Sequence, residues 1–296
     1  MKYLSVTETA KKWGLSERSV RNYCALGKIE GAFLTGKTWN IPEDAQKPDR
    51  ANKRPESPTT LLEVLSAEKK ARLSGGIYHK VQIELTYNSN HIEGSRLTHD
   101  QTRYIFETNT IGIDGGAVKV DDIVETVNHF KCIDLVIENA KKPVTETFIK
   151  ELHRTLKSGT TDSRQDWFAV GDYKRLPNTV GDMFTARPEE VPRKMRELLF
   201  EYNAVKEKSF DDLLDFHYRF ECIHPFQDGN GRIGRLLLFK DCLKYDIVPL
   251  IIDDELKLFY YRGLKEWKNE RGYLRDTCLL AQDKFKIYLD RFNVRY

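Results

Sequence analysis

The feature that most limits how this chain can fold is a stretch near its N-terminus that is unsuited to a hydrophobic core. Residues 42–58 read PEDAQKPDRANKRPESP, with four prolines, many charges and almost no large apolar side chain. Proline removes a backbone donor and charged side chains resist burial, so this composition is typical of a linker. We therefore predict a small domain at residues 1–45, a linker at 46–60 and a large domain at 61–296.

The basic charge of the chain is concentrated in its N-terminal part. Residues 1–60 contain 11 Lys and Arg against 7 Asp and Glu, whereas the rest of the chain is close to neutral. Because a local basic excess attracts polyanions, this segment alone is expected to have a polyanionic partner.

Cysteine usage and hydropathy indicate the compartment. The five cysteines are scattered without a CxxC pair, and the first residues, MKYLSVTETAKKW, lack the apolar segment of a secretory signal. No apolar run approaches the ~20 residues that span a bilayer. We expect no disulfide framework, no structural zinc site and no membrane span, and a bacterial cytoplasmic location.

The small domain contains start and stop signals for two short helices and a turn signal for a hairpin. Ser5 and Glu8 have the spacing of a capping box, and the helix that follows is predicted to stop at Gly14. Ser16 and Gly27 fit the start and the end of a second helix. The stretch IEGAFLTGKTWNIP then suggests a hairpin that turns at residues 36–37.

This order of helix, tight turn, helix and hairpin resembles the winged helix-turn-helix of the MerR and phage-excisionase type. The resemblance implies that the second helix enters the major groove of DNA and that the hairpin contacts phosphate. The residues expected to contact DNA are Arg18, Arg21, Asn22 and Lys37. Because helix-turn-helix patterns are short, a small protein-binding or dimerisation module remains the alternative.

The large domain is predicted to be mainly helical. VDDIVETVNHFKCIDLVIENA places Ile123, Val127 and Phe130 at helical spacing, and TETFIKELHRTLKSG does the same for Phe148 and Leu152. The exception is VGDYKRLPNTVGDMFTARPEEVP, which has turn formers and alternating apolar residues and predicts a β-hairpin flap at about residues 174–188. The expected fold class is therefore mainly α, with one β-hairpin flap.

Residues 224–235, HPFQDGNGRIGR, combine several chemical groups. A neutral imidazole at His224 can accept a proton near pH 7, and Asp228 is an oxygen ligand suited to Mg²⁺ on phosphates. The Gly-Asn-Gly at 229–231 opens a helix, whose free N–H groups favour anions. Arg232 and Arg235 lie three residues apart on that helix and can bind a polyphosphate. This set suits phosphoryl or nucleotidyl transfer, whereas a capped helix with a buried histidine is the purely structural alternative.

The twelve-residue motif resembles that of the Fic family, HPFx[DE]GNGRxxR, and every fixed position is matched. The stretches IKELHRTL, GDYKRL, EEVPRKMRELL and LFYYRGL also resemble the family, so the likeness extends over about residues 60–290. It implies a Fic-type helical bundle with a catalytic loop at 224–235. It also implies a protein adenylyltransferase that uses ATP and Mg²⁺.

The resemblance implies a role for each matched residue. His224 would deprotonate a Ser, Thr or Tyr hydroxyl of a target protein, and the oxygen would attack the α-phosphate of ATP. Asp228 would hold Mg²⁺, and Phe226 would anchor the loop. The residues implied to bind ATP are Gly229, Asn230, Gly231, Arg232, Ile233, Gly234, Arg235, Tyr260 and Tyr261. The flap residues implied to pair with the target backbone are Val180, Gly181, Asp182 and Met183.

A second motif, SNHIEG at residues 89–94, resembles the inhibitory pattern [ST]xxxE[GN] of the family. Its matched residues are Ser89, Glu93 and Gly94, on an inhibitory helix expected at about residues 86–94. The resemblance implies that Glu93 pairs with Arg235 and takes the place of the γ-phosphate of ATP. The chain would then be self-inhibited.

Several functional alternatives remain open at this stage. The chain could be a DNA-binding transcriptional regulator whose Fic-like part senses nucleotide or mediates dimerisation without catalysis. Removal of AMP from a target could also dominate over its addition. Gly231 separates the chain from the kinase-like Doc branch, which has lysine there, while phosphocholine transfer is not excluded. The expected partners are ATP, an unknown target protein, DNA through the small domain, and a second copy of the chain.

Overall fold

The chain divides into two units, Met1–Ser57 and Pro58–Tyr296. The computed structural model describes residues 2–25, 27–36, 38–48, 60–112, 117–180 and 183–296. Three of the predicted site residues, Lys37, Gly181 and Asp182, lie outside these ranges. The division between the units falls within the segment that we predicted to be a linker.

In its described residues, the first unit combines two helices with a small antiparallel sheet. Its elements are β1 (Tyr3–Leu4), α1 (Val6–Trp13), α2 (Glu17–Ala25), β2 (Phe33–Thr35) and β3 (Thr38–Pro42). The strand order is β1-β3-β2, and both neighbouring pairs are antiparallel. Its core packs Val6, Ala10, Val20, Cys24, Ile29 and Ile41 together.

The helix ends of the first unit follow from its sequence. The Glu8 amide donates to Ser5 Oγ at 3.3 Å, and the Ser5 amide donates to Glu8 Oε2 at 2.8 Å. This reciprocal pair satisfies two backbone donors of the first turn of α1. Gly14 ends α1 in the left-handed region at φ 63°, which glycine adopts without steric cost. The predicted capping box and the predicted end of α1 are confirmed.

The second unit is mainly helical, as predicted. Its helices are α3 (Leu61–Ala71), α4 (Ile77–Ile92), α5 (His99–Thr108), α6 (Val120–Glu138), α7 (Glu146–Lys157), α8 (Val191–Ala204), α9 (Phe210–Ile223), α10 (Asn230–Lys244), α11 (Asp254–Glu266) and α12 (Gly272–Arg291). Two short strands, β4 (Thr179–Val180) and β5 (Met183–Phe184), pair antiparallel between α7 and α8. In the described part of the chain, no helix combines the length and the apolar character needed to cross a membrane.

Helix α10 lies at the centre of the second unit. Thirteen of its fifteen residues are buried, and Ile233, Leu236, Leu237 and Phe239 lie in the main core. A helix that is buried on all sides is enclosed by other elements. Here α10 packs against α9, α6 and α7, among others. The N-terminus of α10, which follows the motif histidine, is therefore held by the surrounding helices.

Two sequence expectations for this unit need correction. The helix predicted at about 86–94 is only the last part of α4, which has 16 residues. The hairpin predicted at about 174–188 has strands of only two residues each. In α6, Ile123 and Val127 pack in a small cluster beside α5, while Ile133 and Val136 enter the main core. Helical spacing locates an apolar stripe but does not say which neighbour it meets.

Candidate active site

The loop between α9 and α10 carries the histidine of the motif at a strained backbone position. His224 follows the last residue of α9 in the left-handed region, at φ 51° and ψ 62°. Its amide still donates to the Phe220 carbonyl at 2.9 Å, so the histidine is fixed to the end of the helix. A non-glycine residue with positive φ is uncommon and is often found at functional sites.

Two buried contacts hold this α9–α10 loop in one shape. Phe226 is fully buried, and its ring stacks on His153 of α7 with centroids 4.0 Å apart. The side-chain amide of Asn230 accepts from the Phe226 amide at 2.8 Å and donates to the Phe226 carbonyl at 2.8 Å. Asn230 therefore closes the loop from inside, and only its backbone remains for a ligand. The anchoring that was expected of Phe226 agrees with this packing.

His153 adds a third point of support. The Gly171 amide donates to its Nδ1 at 2.9 Å, and its Nε2 lies 3.2 Å from the Asp228 carbonyl oxygen. A ring nitrogen that accepts from an amide carries no proton, so the proton of His153 is on Nε2 and is donated to the loop. Burial lowers the pKa of His153 to about 3, which keeps the ring neutral.

The imidazole of His224 is also neutral near pH 7. Burial, together with the nearby charge of Lys174, lowers its pKa to about 4. Glu221, one turn earlier on α9, has Oε2 3.7 Å from Nδ1 of His224, and burial raises the pKa of this carboxyl to about 8. At neutral pH His224 is therefore in the form that accepts a proton, which a general base requires.

A buried ion cluster surrounds Asp228. Lys157, at the end of α7, places Nζ 2.5 Å from Asp228 Oδ2 and also pairs with Glu125 of α6. Arg232 pairs with Glu125 and lies 3.5 Å from Asp228. Burial opposes ionisation of Asp228, but the charges of Arg232 and Lys157 hold its pKa well below the usual range. Asp228 is therefore ionised.

Asp228 is the residue of the loop that was expected to bind magnesium. Within the described residues there is no group of three or more His, Cys, Asp or Glu side chains placed to hold a metal ion. The single ionised carboxylate of Asp228, with about half of its side chain exposed, does fit Mg²⁺ that is bound mainly by nucleotide phosphates and water. Asp228 is thus the residue that would hold such an ion.

The start of α10 is an anion site by geometry. Gly229 has φ 80° and precedes the first turn, whose N–H groups point away from the helix. A Cβ on Gly231 would lie 2.3 Å from Oε1 of Glu93, so only glycine leaves room for a carboxylate there. Ile233 is buried in the core, and the Cα of Gly234 faces His217 and Glu221. The Ile233 amide is already donated to the Gly229 carbonyl at 3.0 Å, so the predicted nucleotide contacts of these two residues are not evident in the structure.

Glu93 already occupies this anion site. Its Oε1 accepts from Arg235 Nη2 at 2.6 Å. Arg235 also donates from Nε to Ser89 Oγ and from Nη2 to the Ser89 carbonyl, both at 3.0 Å. Ser89 is buried on α4, and Glu93 follows the last residue of that helix. The two sequence motifs, which are far apart in the chain, thus meet at one guanidinium.

The two tyrosines predicted to bind ATP differ in their exposure to solvent. Tyr260 is 1% exposed, and its hydroxyl lies 2.6 Å from Nε2 of His217, whereas Tyr261 is 38% exposed. Of this pair, Tyr261 is the one accessible to a ligand. Val180 and Met183, two of the predicted flap residues, pair with each other in the two-stranded β4–β5 hairpin. The remaining flap residues, Gly181 and Asp182, are outside the described ranges.

Sequence reasoning missed Lys157 and Glu125. The helical spacing of the sequence contained a signal for both residues. Glu125 lies three and four residues before the buried Asn128 and His129, on the same side of α6, and Lys157 lies four residues after the buried His153 on α7. A charged residue on an otherwise buried stripe needs a buried partner, and this indicates a site.

With this geometry in place, the chain was compared with known proteins. Residues 143–240 match the Fic/DOC family. The matched Fic segment contains His153, Lys157, the α9–α10 loop and Arg235. Ser89 and Glu93 lie before it.

Relatives that are similar over more of the chain have the same type of name. The chain is 26% identical over 209 residues to a protein adenylyltransferase Fic of Nematostella vectensis, covering 69% of this chain and 48% of that protein. For the protein adenylyltransferase Fic of Aedes aegypti the identity is 26% over 253 residues, covering 83% and 48%. The chain thus spans about half the length of these curated relatives.

Solved structures extend the likeness to the fold. A Fic domain containing signaling protein from Bacteroides thetaiotaomicron superposes with a TM-score of 0.61 at 26% identity, covering 77% of this chain and 94% of that one. Fic-1 from C. elegans gives 0.59 at 20% identity, covering 77% and 68%, and this supports the fold alone.

Proposed function

We propose that this chain is a self-inhibited protein adenylyltransferase, which moves AMP from ATP to a Ser, Thr or Tyr hydroxyl of a target protein. The observation that carries the proposal is the position of a neutral His224 beside the anion-binding start of α10. The likeness to proteins named protein adenylyltransferase Fic supports this chemistry over other uses of a base and an anion site.

In the proposed reaction, His224 takes the proton of the target hydroxyl. The oxygen then forms a bond to the α-phosphorus of ATP, and the bond from that phosphorus to the bridging oxygen of the β-phosphate breaks. AMP stays on the target and pyrophosphate leaves. Mg²⁺, when bound at Asp228, would neutralise charge on the phosphates. The N–H groups of α10 and the guanidinium groups of Arg232 and Arg235 bind the remaining phosphate charge.

The proposed inhibition follows from competition for one cation. Arg235 binds either Glu93 or the far phosphate of ATP, because a second anion in the same place would be repelled. With Glu93 in place, ATP is expected to bind with its α-phosphate out of line for attack. Target pairing with the β4–β5 hairpin by strand addition belongs to the same proposal.

The position of a radioactive label tests the reaction. The Glu93→Gly variant is incubated with bacterial lysate and with ATP that carries ³²P at either the α or the γ position. Protein should be labelled from α-labelled ATP and not from γ-labelled ATP, because only the AMP part is retained. Labelling from the γ position would indicate a kinase instead. Transfer from labelled CDP-choline but not from ATP would indicate phosphocholine transfer.

For the first unit we propose binding to double-stranded DNA through α2. Arg18, Arg21 and Asn22 are exposed on this helix, and Arg21 pairs with Glu17 at 3.0 Å. Replacing both arginines by alanine should weaken DNA binding and reduce the salt dependence of log K by about one for each lost phosphate contact. Gel shifts at several salt concentrations measure this, with the exposed Lys141→Ala in the second unit as control. An unchanged salt dependence would contradict the proposal.

A further inference from the structure

Lys174 is a buried lysine whose hydrogen-bond partners are neutral. It is 3% exposed. Its Nζ donates to Asn178 Oδ1 at 2.6 Å, to Thr185 Oγ1 at 2.7 Å and, more weakly, to the Ile223 carbonyl at 3.5 Å. Burying an ammonium group among neutral oxygens costs free energy. A lysine kept in such a place is therefore a candidate for a specific role.

The partners of Lys174 join the β4–β5 hairpin to the α9–α10 loop. Asn178 immediately precedes β4 and Thr185 immediately follows β5, so the lysine ties together the two ends of the hairpin. Its own amide donates to the Pro225 carbonyl at 2.9 Å, and the side chain of Asn178 donates to the Phe226 carbonyl at 3.0 Å. The carbonyls on both sides of His224 are thus bound from the base of the hairpin.

Lys174 also stands out among the charged groups that act on His224. Glu93 at the C-terminal end of α4, Asp228 in the loop and the backbone of Glu221 on α9 all favour the protonated imidazole, whereas the charge of Lys174 opposes it. Burial and the charge of Lys194 on α8 lower the pKa of Lys174 to about 8. Lys174 is therefore still mainly charged at pH 7, and that charge is lost as the pH rises through 8.

We propose that Lys174 is a positioning residue that couples the base of the β4–β5 hairpin to His224. A target segment that docks on the hairpin would then be held in register with the base that deprotonates it. This inference rests on the proposed adenylyltransferase function for its catalytic consequence. The coupling itself is a property of the folded chain and can be measured without any reaction.

The first test is a histidine titration by NMR of the full chain, without nucleotide or metal. Lys174→Met removes the ammonium and keeps the length of the stem, and we expect the pKa of His224 to rise in this variant. Lys174→Arg keeps the charge and should leave the value near that of the wild type. Lys194→Met is the matched control, because Lys194 is a charged residue of α8 that pairs with Glu190 at 3.2 Å. No rise in Lys174→Met, or an equal rise in Lys194→Met, overturns the proposal.

The second test measures self-incorporation of AMP from α-labelled ATP in the Glu93→Gly background. Adding Lys174→Met should slow transfer by about 10²-fold, the loss expected when a catalytic group is displaced by about 1 Å, and leave the affinity for a fluorescent ATP analogue within about twofold. Thr185→Val keeps the lysine and removes one of its acceptors at the hairpin base, so it serves if Lys174→Met does not fold, and it should also slow transfer. Equal transfer in all variants overturns the coupling. If Glu93→Gly itself transfers no AMP, the proposed function fails, and the NMR titration still decides the role of Lys174.

Discussion

Replacing Glu93 by glycine is expected to raise the rate at which the chain transfers AMP from ATP to protein, including to itself, by about 10- to 100-fold. A hydrogen bond to a charged group contributes about 1.5–3 kcal/mol, and each ~1.4 kcal/mol corresponds to a factor of ten. The Glu93 carboxylate accepts at 2.6 Å from Arg235, whose side chain is only 6% exposed. Most of the free energy of this hydrogen bond should therefore oppose the binding of the ATP phosphates to Arg235.

The substitution should leave the fold intact. Glu93 follows the last residue of α4 and has φ −85°, a conformation open to any residue, and glycine is well tolerated at helix ends. Transfer is measured with α-labelled ATP and purified protein. Glu138→Gly is the matched control, because Glu138 also lies at the end of a long helix and also pairs with a cation, but that cation is Lys69 on α3 and not Arg235 on α10. Unchanged transfer in Glu93→Gly, with nucleotide binding intact, would show that Glu93 is not an inhibitor.

The second large effect is expected from His224. In the Glu93→Gly background, His224→Ala should lower AMP transfer by about 10²- to 10⁴-fold, the usual contribution of a general base. The burial that lowers the pKa of His224 to about 4 means that the wild-type side chain accepts a proton throughout the neutral range. Affinity for ATP should change little, because the anion site is formed by α10 and its arginines.

The left-handed backbone at position 224 requires a second variant. Alanine in this region is strained, whereas asparagine adopts it more readily, so His224→Asn separates loss of the imidazole from loss of the loop. His79→Ala is a matched control, because His79 also lies beside a carboxylate, with Nε2 2.9 Å from Glu107. Circular dichroism and thermal unfolding establish that each variant is folded. If both His224 variants transferred AMP at the parental rate, the assignment of the base would be wrong.

Local sequence rules worked wherever the deciding contacts are short-range. The capping box of Ser5 and Glu8 and the end of α1 at Gly14 were predictable because each involves atoms within a few residues. The buried face of α7, with Phe148 and Leu152, was likewise predictable from spacing. The same rules misjudged the extent of α4, whose first turns are buried by neighbouring helices.

In the candidate site, too, the residues that are close in sequence were predictable, and those brought together by helix packing were not. His224, Asp228 and the glycines of the α10 start lie within one contiguous motif, so their proximity follows from the chain itself, and the partner of Arg235 was suggested by a second motif. Helical periodicity places Lys157 and Glu125 beside buried residues, but it does not give their partners, because they reach Asp228 and Arg232 only after α6, α7 and α10 have packed.

The sequence by itself determined the two-part organisation, the helical character of the larger part and the chemical groups that a nucleotide would meet. The tertiary structure decided the state of those groups. It buried His224 so that the imidazole is neutral, and it brought Glu93 onto Arg235. It also bound the loop carbonyls to Lys174 and Asn178. Protonation and ion pairing depend on burial and on distances between segments remote in the chain. Residue order alone does not contain those distances.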